Sequence, residues 1–255
     1  MDCIEEVHEL QKVSGVFRLD DAAGELRFLV FIKLEKEFKF LSRARQTIEA
    51  KHGELEKLTY TIVDLETTGL NPSSDEIIEI GAIKFSGNNV LDIFNKLVKP
   101  EQPVSQNISE LTGITPEMLE NEPPVKPVLA KFREFAGDSI LVAHNADFDI
   151  SFLRNGAKKW LNADIDNLVV CTLLTSRDIL PNLDNHKLHT IAKYFHLEVA
   201  NRHRAIGDSE LTYQIWLRFM EKLKGKNVLT RKDLETYMNS FNKPAIEGNS
   251  RTVAA

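Results

Sequence analysis

The sequence predicts an α/β sandwich built on a mixed five-stranded sheet, with a small α+β extension at its N-terminus. Three observations carry that expectation. Apolar runs at 60–65, 76–85 and 90–98 follow one another with no helical pattern between them, as in a meander. Two further runs, 139–143 and 168–171, alternate with segments of helical periodicity. Strands that first meander and then alternate with helices place those helices on the faces of a mixed sheet. The third observation is that residues 1–57 carry a hairpin signal and helical patterns of their own, set apart from this series.

In the extension, Ile4, Val7, Leu10 and Val13 recur every three residues, which predicts a short helix. The runs 16–19 and 26–32 flank Asp20-Asp21-Ala22-Ala23-Gly24, and such turn chemistry between apolar runs predicts a hairpin. From 35 to 58 the pattern reads as a helix, with Leu41, Ala44, Ile48, Leu55 and Leu58 near heptad spacing and Lys51 interrupting the seam. That helix either packs on its own hairpin or presents 35–58 to a partner or to a second copy of the chain. Beyond it, helices are expected at 125–135, after the fourth strand as far as Trp160, and at 172–179, 187–195 and 204–223. The chain therefore divides into a helix-hairpin-helix extension (1–57), a main domain (58–223) and a C-terminal tail (224–255).

Composition narrows the function classes. With 42% hydrophobic and 27% charged residues, 12 Gly and 9 Pro, the chain has the make-up of a globular protein. The start MDCIEEVHEL lacks a signal sequence, and the longest apolar run, Phe28 to Ile32, is far too short to span a bilayer, so a cytoplasmic protein without membrane attachment is expected. Cys3 and Cys171 are too few for a disulfide framework or a thiolate metal site. A formal charge of −6 argues against unaided gripping of a phosphate backbone. It does not argue against a site that meets phosphate through metal ions, because such a site is itself acidic.

Four carboxylates stand out. Asp64 and Glu66 lie two apart at the end of the first strand of the main domain, so they project from one face, roughly 6.6 Å apart along the strand. Their repulsion is about 2–3 kcal/mol at an effective dielectric near 20, a cost that a cation between them removes. Asp149 begins the apolar stripe continued by Leu153, Ala157 and Trp160, and Asp208 begins the stripe Leu211, Ile215, Phe219. Each is an acid on a helix face that should meet the sheet, where carboxylates are paired, protonated or metal-bound. Helix N-terminal stabilisation accounts for either Asp alone, but less well for both together with a strand-end pair. All-oxygen donors suit Mg²⁺ or Mn²⁺, whereas His186 and His189 lack a second close pair for zinc.

The segments Asp64-Leu65-Glu66-Thr67-Thr68-Gly69-Leu70, His144-Asn145-Ala146-Asp147-Phe148-Asp149 and His203-Arg204-Ala205-Ile206-Gly207-Asp208 resemble, in the same order, the three motifs of the histidine-containing DEDD (DEDDh, DnaQ-like) 3′→5′ exonucleases. The intervening ELTGITPEML and HKLHTIAKYFHL look most like the proofreading exonuclease domains of bacterial replicative DNA polymerases. The resemblance implies a ribonuclease H-like fold and hydrolysis with two divalent ions, Mg²⁺ or Mn²⁺. Position by position, it implies Asp64, Glu66, Asp149 and Asp208 as metal ligands and His203 as general base, a role that suits its ordinary pKa near 6.5. It implies Thr67, Leu70, Asn145 and Phe148 as contacts to the 3′-terminal nucleotide. One departure is Cys171, which stands where relatives often carry Asp before Thr172-Leu173.

His203 is five residues before Asp208, about 500° of helix, so the two cannot share a helical face and His203 is expected on the preceding loop. The implied partners are single-stranded DNA or RNA 3′ ends and, because no polymerase domain accompanies the nuclease here, a separate DNA polymerase subunit. DNA is the expected substrate, with proofreading or repair as the setting. An exoribonuclease keeps the same chemistry, and a catalytically silent nucleic-acid-binding module keeps only the fold; cleavage of labelled strands with and without EDTA separates them.

Overall fold

The computed structural model describes residues 13–20, 26–34, 37–41, 54–197 and 204–241, the first three of these by backbone alone. Two sheets are present among these residues. The N-terminal one is an antiparallel meander of β1 (Val13–Asp20), β2 (Leu26–Leu34) and β3 (Glu37–Leu41). The hairpin expected around Asp20 to Gly24 corresponds to β1 and β2. The helix expected from 35 to 58 does not form at its start: Glu-Phe-Lys-Phe-Leu alternates with period two and builds β3, the geometry that alternating phenylalanines favour. The helix expected over residues 4–13 falls outside the described residues except for Val13, which opens β1, and the centre of the heptad-like seam, 42–53, lies outside them too.

The main sheet has the order β6-β5-β4-β7-β8. Its strands are β4 (Thr59–Thr67), β5 (Ile77–Ser86), β6 (Asn89–Leu97), β7 (Ile140–Ala143) and β8 (Val169–Cys171). The first three form the expected meander; β7 lies parallel to β4, and β8 parallel to β7. The helices are α1 (Gln106–Thr112), α2 (Pro116–Leu119), α3 (Val125–Ala136), α4 (Asp147–Gly156) continuing into a π-helical turn (Ala157–Leu161), α5 (Thr172–Ile179), α6 (Leu188–Tyr194), α7 (Ala205–Gly225) and α8 (Arg231–Ser240). The helices expected in the main domain coincide with α3 to α7 within a few residues.

Strand alternation assigns the two faces. Tyr60, Ile62, Asp64 and Glu66 of β4 pair with Phe85, Ile83, Gly81 and Glu79 of β5, so all eight share one face. Long α7 covers that face: Trp216 meets Tyr60 edge-on at 5.7 Å, and Tyr213 meets Phe85 at 4.7 Å. Helix α3 covers the other face, where Phe132 packs edge-on against Phe94 of β6 at 5.8 Å. With β4 central and buried on both sides, its C-terminal end is held rigidly. Asp64 and Glu66 stand there.

Two segments that the sequence reading placed outside the main domain pack into it. Leu55 in the 3₁₀ turn Glu54–Lys57 is fully buried, its N–H donates to the Leu229 carbonyl at 2.6 Å, and its own carbonyl accepts from the Tyr60 hydroxyl at 2.8 Å. Glu56 pairs with Lys224. In the stretch expected as a tail, α8 starts with a capping box between Thr230 and Asp233 and buries Leu234 and Met238. Tyr237 donates to Asp178 at 2.7 Å. A fragment spanning 54–241 is therefore expected to fold and melt cooperatively, whereas 58–223 forfeits about 3–6 kcal/mol from Leu55 and Leu234 burial alone. Against a typical total of about 5–15 kcal/mol, that deficit should appear as a large drop in the urea midpoint. Equal midpoints for the two fragments would show that neither segment belongs to the folding unit.

Candidate active site

The site forms where β4 ends against the first turns of α4 and α7. Asp64 and Glu66 share the face covered by α7, and Asp208 occupies the first turn of that helix. Oxygen atoms of these three carboxylates lie within 4.8 Å of one another, the one grouping of this kind among the described residues. Asp149, in the first turn of α4, is almost completely buried. Its Oδ1 accepts the Leu65 N–H at 3.0 Å, between the two β4 acids in sequence. The structure thus gathers three of the four expected metal ligands into one cluster and sets the fourth beside it, tied to the strand backbone.

Helix α7 reaches this position because β5 lets it come close. A Cβ on Gly81 would collide with the backbone of Ala205 and Ile206, so only glycine permits the approach. Gly81 is the cross-strand partner of Asp64, and its carbonyl accepts the Ser209 hydroxyl at 2.8 Å. Two residues earlier, fully buried Glu79 accepts two hydrogen bonds from Arg204 Nε, at 3.1 and 3.0 Å, one from Nη2 at 2.6 Å, and the Ala205 N–H at 3.0 Å. The first turn of α7 is docked on β5 by a missing side chain at one residue and a charged clamp at another.

Crowding of like charge governs the proton affinities. Burial, followed by Asp149, Asp208, Glu66 and Glu79, holds the Asp64 carboxyl well above its ordinary range. Burial and then Glu79 and Asp208 push Glu66 up to about 7, while Arg204 opposes them. Asp149 is raised chiefly by burial, against hydrogen bonds from its own and the Leu65 N–H. Carboxylates that resist ionisation together, in a set of oxygen donors within 4.8 Å of one another, fit a hard divalent cation, which favours their charged form. Asp64, Glu66 and Asp208 are the residues placed to hold it.

The other expected site residues lie around this cluster. Thr67 is buried and its hydroxyl donates to the Gly69 carbonyl at 2.6 Å, so it shapes the turn after β4. Leu70, on that turn, is 84% exposed, a large apolar side chain offered to solvent. Asn145 is exposed with φ of 62°, a left-handed conformation that asparagine tolerates better than most residues, and its carbonyl accepts the Phe148 N–H at 3.0 Å. Phe148 packs on Phe152 with centroids 5.0 Å apart. His203 lies outside the described residues; α7 begins two positions after it. Cys171 is buried at the end of β8.

The sequence reading passed over Glu79 and gave Arg204 no role. A charged residue inside the otherwise apolar run Ile77-Ile78-Glu79-Ile80 is the signal that was available, since a central strand buries charge only when it is paired.

A five-stranded mixed sheet whose central strand ends in an acid cluster against the first turns of two helices is an arrangement found in nucleases, and the comparisons give the same class. Residues 61–216 match the RNase T family model, described as an exonuclease. The chain belongs to this DnaQ-like exonuclease family. Among curated proteins, it is 41% identical over 194 residues to the PolC-type DNA polymerase III of Bacillus subtilis and 43% identical over 165 residues to that of Caldanaerobacter subterraneus. Those matches cover 76% and 65% of this chain but only 14% and 12% of the polymerases. Among solved structures, exonuclease X in complex with 5′-overhanging duplex DNA aligns with a TM-score of 0.57 at 23% identity, over 69% of this chain and 98% of that one. Escherichia coli exonuclease I with a dA16 oligonucleotide aligns with a TM-score of 0.58 at 20% identity, over 73% of this chain and 44% of that one. These neighbours share the ribonuclease H-like fold. No helix among the described residues is long and apolar enough to cross a membrane.

The raised acids make a prediction about stability. A carboxyl whose folded pKa exceeds its unfolded value binds more protons when folded, so stability falls as pH rises from about 4 through the folded pKa. The metal-free protein should lose melting temperature between about pH 5 and 8 through this term, and Mg²⁺ or Mn²⁺ should restore it at pH 8 far more than at pH 5. In Asp149→Asn the slope should flatten. A cation effect equal at both pH values would show that the acids do not form the binding site.

Proposed function

We propose that this chain is a 3′→5′ exonuclease that hydrolyses terminal phosphodiester bonds of DNA and releases nucleoside 5′-monophosphates, using two divalent ions. The observation that carries this reading is the convergence of Asp64, Glu66 and Asp208 at the end of the central strand, with Asp149 buried beside them. Kinship with the PolC-type polymerases supports DNA as the substrate and proofreading as the setting, with a polymerase subunit as partner.

In this reading the four acids hold the cations, Mg²⁺ or Mn²⁺, which would supply charge neutralisation for the phosphate and acidify the attacking water. Exposed Leu70 and the turn shaped by Thr67 seat the 3′-terminal nucleotide, with Asn145 and Phe148 as further contacts to it. His203 takes the proton of the water as its oxygen attacks phosphorus. The bond to the 3′ oxygen of the preceding nucleotide breaks, and that oxygen leaves as the new 3′ hydroxyl after protonation.

The test is product analysis on matched single- and double-stranded DNA and RNA, labelled at either end. A 5′-labelled DNA strand should shorten stepwise, a 3′-labelled one should release labelled mononucleotide at once, and EDTA should stop both. Faster digestion of RNA would make the chain an exoribonuclease, and a shifted but uncut strand would make it a binding module. Oligomer formation through 35–58 is measured separately by light scattering of the full chain and of 54–241.

His203→Ala should slow turnover by about 10²–10⁴-fold while divalent-ion binding persists, because the residue is assigned as a base and not as a ligand. The acid limb of the wild-type pH profile should flatten or move in the variant. Unchanged turnover and an unchanged acid limb at saturating metal would remove His203 from the reaction.

A further inference from the structure

Strand β5 carries a carboxylate for which metal binding has no use. Glu79 is fully buried directly across the antiparallel pair from Glu66, and like charges at facing positions destabilise a sheet. Arg204 offsets the pair, and it does so through Glu79: its Nε and Nη2 donate to both Glu79 oxygens, at 2.6–3.1 Å. The Ala205 N–H takes the remaining approach to Oε2 at 3.0 Å. Arg204 lies four residues before Asp208, and its charge is felt by Glu66. A guanidinium so close to carboxylates is a rival to any cation there, since it matches carboxylate geometry with paired donors and cannot deprotonate.

We infer that Glu79 is a positioning residue that holds the Arg204 guanidinium on β5, away from Glu66 and Asp208, so that those carboxylates stay open to the divalent ion. The inference rests on the reading of the acids as metal ligands. A plain structural brace would serve fold and site alike, and loss of either partner would then weaken metal binding. Sequestration predicts opposite signs. Without Glu79, Arg204 turns to the nearest remaining acid and competes with the ion. Without Arg204, the competitor is gone and one more negative charge stays near the site.

The test measures Mn²⁺ affinity of the full chain by the electron paramagnetic resonance signal of the free ion, beside melting in EDTA. Glu79→Gln should weaken Mn²⁺ binding by about ten-fold or more, because a unit charge a few Å from the ion at an effective dielectric near 20 is worth at least that much. Arg204→Gln should bind Mn²⁺ at least as tightly as the wild type, although both single variants melt earlier. Should either single variant fail to fold, Glu79→Gln/Arg204→Gln, a neutral hydrogen-bonding pair, should bind like the wild type or tighter. Wild-type affinity in Glu79→Gln, weakened binding in both single variants, or weakened binding in the double variant would overturn the inference. Asp64→Asn is the control for the underlying reading: if it binds Mn²⁺ as the wild type does, the acids are not the ligands, and the inference falls with them while Glu79 and Arg204 are intact.

Discussion

Mutual repulsion of carboxylates at the end of β4 is the constraint that the rest of the structure serves. Asp64 feels Asp149, Asp208, Glu66 and Glu79 at once. Each such pair, ionised, opposes the fold by about 2–3 kcal/mol at an effective dielectric near 20, so a few together rival the whole stability of a domain of about 5–15 kcal/mol. A flexible support would relax by letting the acids splay. Here they cannot, because β4 is central, Tyr60 and Ile62 are fully buried beneath them, and Trp216 anchors the helix that bears Asp208. What yields instead is protonation: the free protein keeps protons that a cation would replace.

That rigidity has local sources. Gly81 admits the backbone of α7, the Ser209 hydroxyl fixes its height on the strand, and the Asp149 carboxylate caps the Leu65 N–H from the opposite helix. The two helices that deliver acids are thus bonded to the two strands at the site itself. Packing farther along α7, where Tyr213, Trp216 and Phe219 are buried, supplies the energy; the polar contacts at its start supply the placement. The division follows from physics, since hydrophobic burial has no direction and hydrogen bonds do.

Most of this was legible in the sequence, and the exceptions have physical reasons. The strands of the meander and the helices at 125–135 and 204–223 carried strong periodicity, and the acids betrayed themselves by standing on apolar faces. The segment Glu37–Leu41 was read as helix because a heptad spacing starting at Leu41 outweighed five alternating residues, a window too short to decide on periodicity alone. Helix α8 was missed although Leu234, Tyr237, Met238 and Phe241 keep helical spacing and Thr230 with Asp233 can cap it. Its polarity hid it, since it has only a narrow stripe to bury. Glu79 was passed over for a different reason: sequence shows a charge in a strand, but its partner is 125 residues away, and only the fold brings Arg204 to it.

The same electrostatics resolves the conflict between a net charge of −6 and a phosphate substrate. A polyanion approaching the bare cluster would be repelled, so in the proposed reading affinity for the strand end is conditional on the cations. Four carboxylates and two divalent ions sum to zero, and the local field then no longer opposes phosphate. Arg204 bears on that balance only if it is free to enter it. Held on Glu79, it leaves the carboxylates of the cluster free to exchange their protons for divalent ions. A lysine or arginine left among the acids would have eased their repulsion more cheaply, but it would have filled the place that the proposed reading gives to the divalent ion. Tolerating strain in the metal-free state is therefore the condition for a site that binds phosphate only when it is loaded.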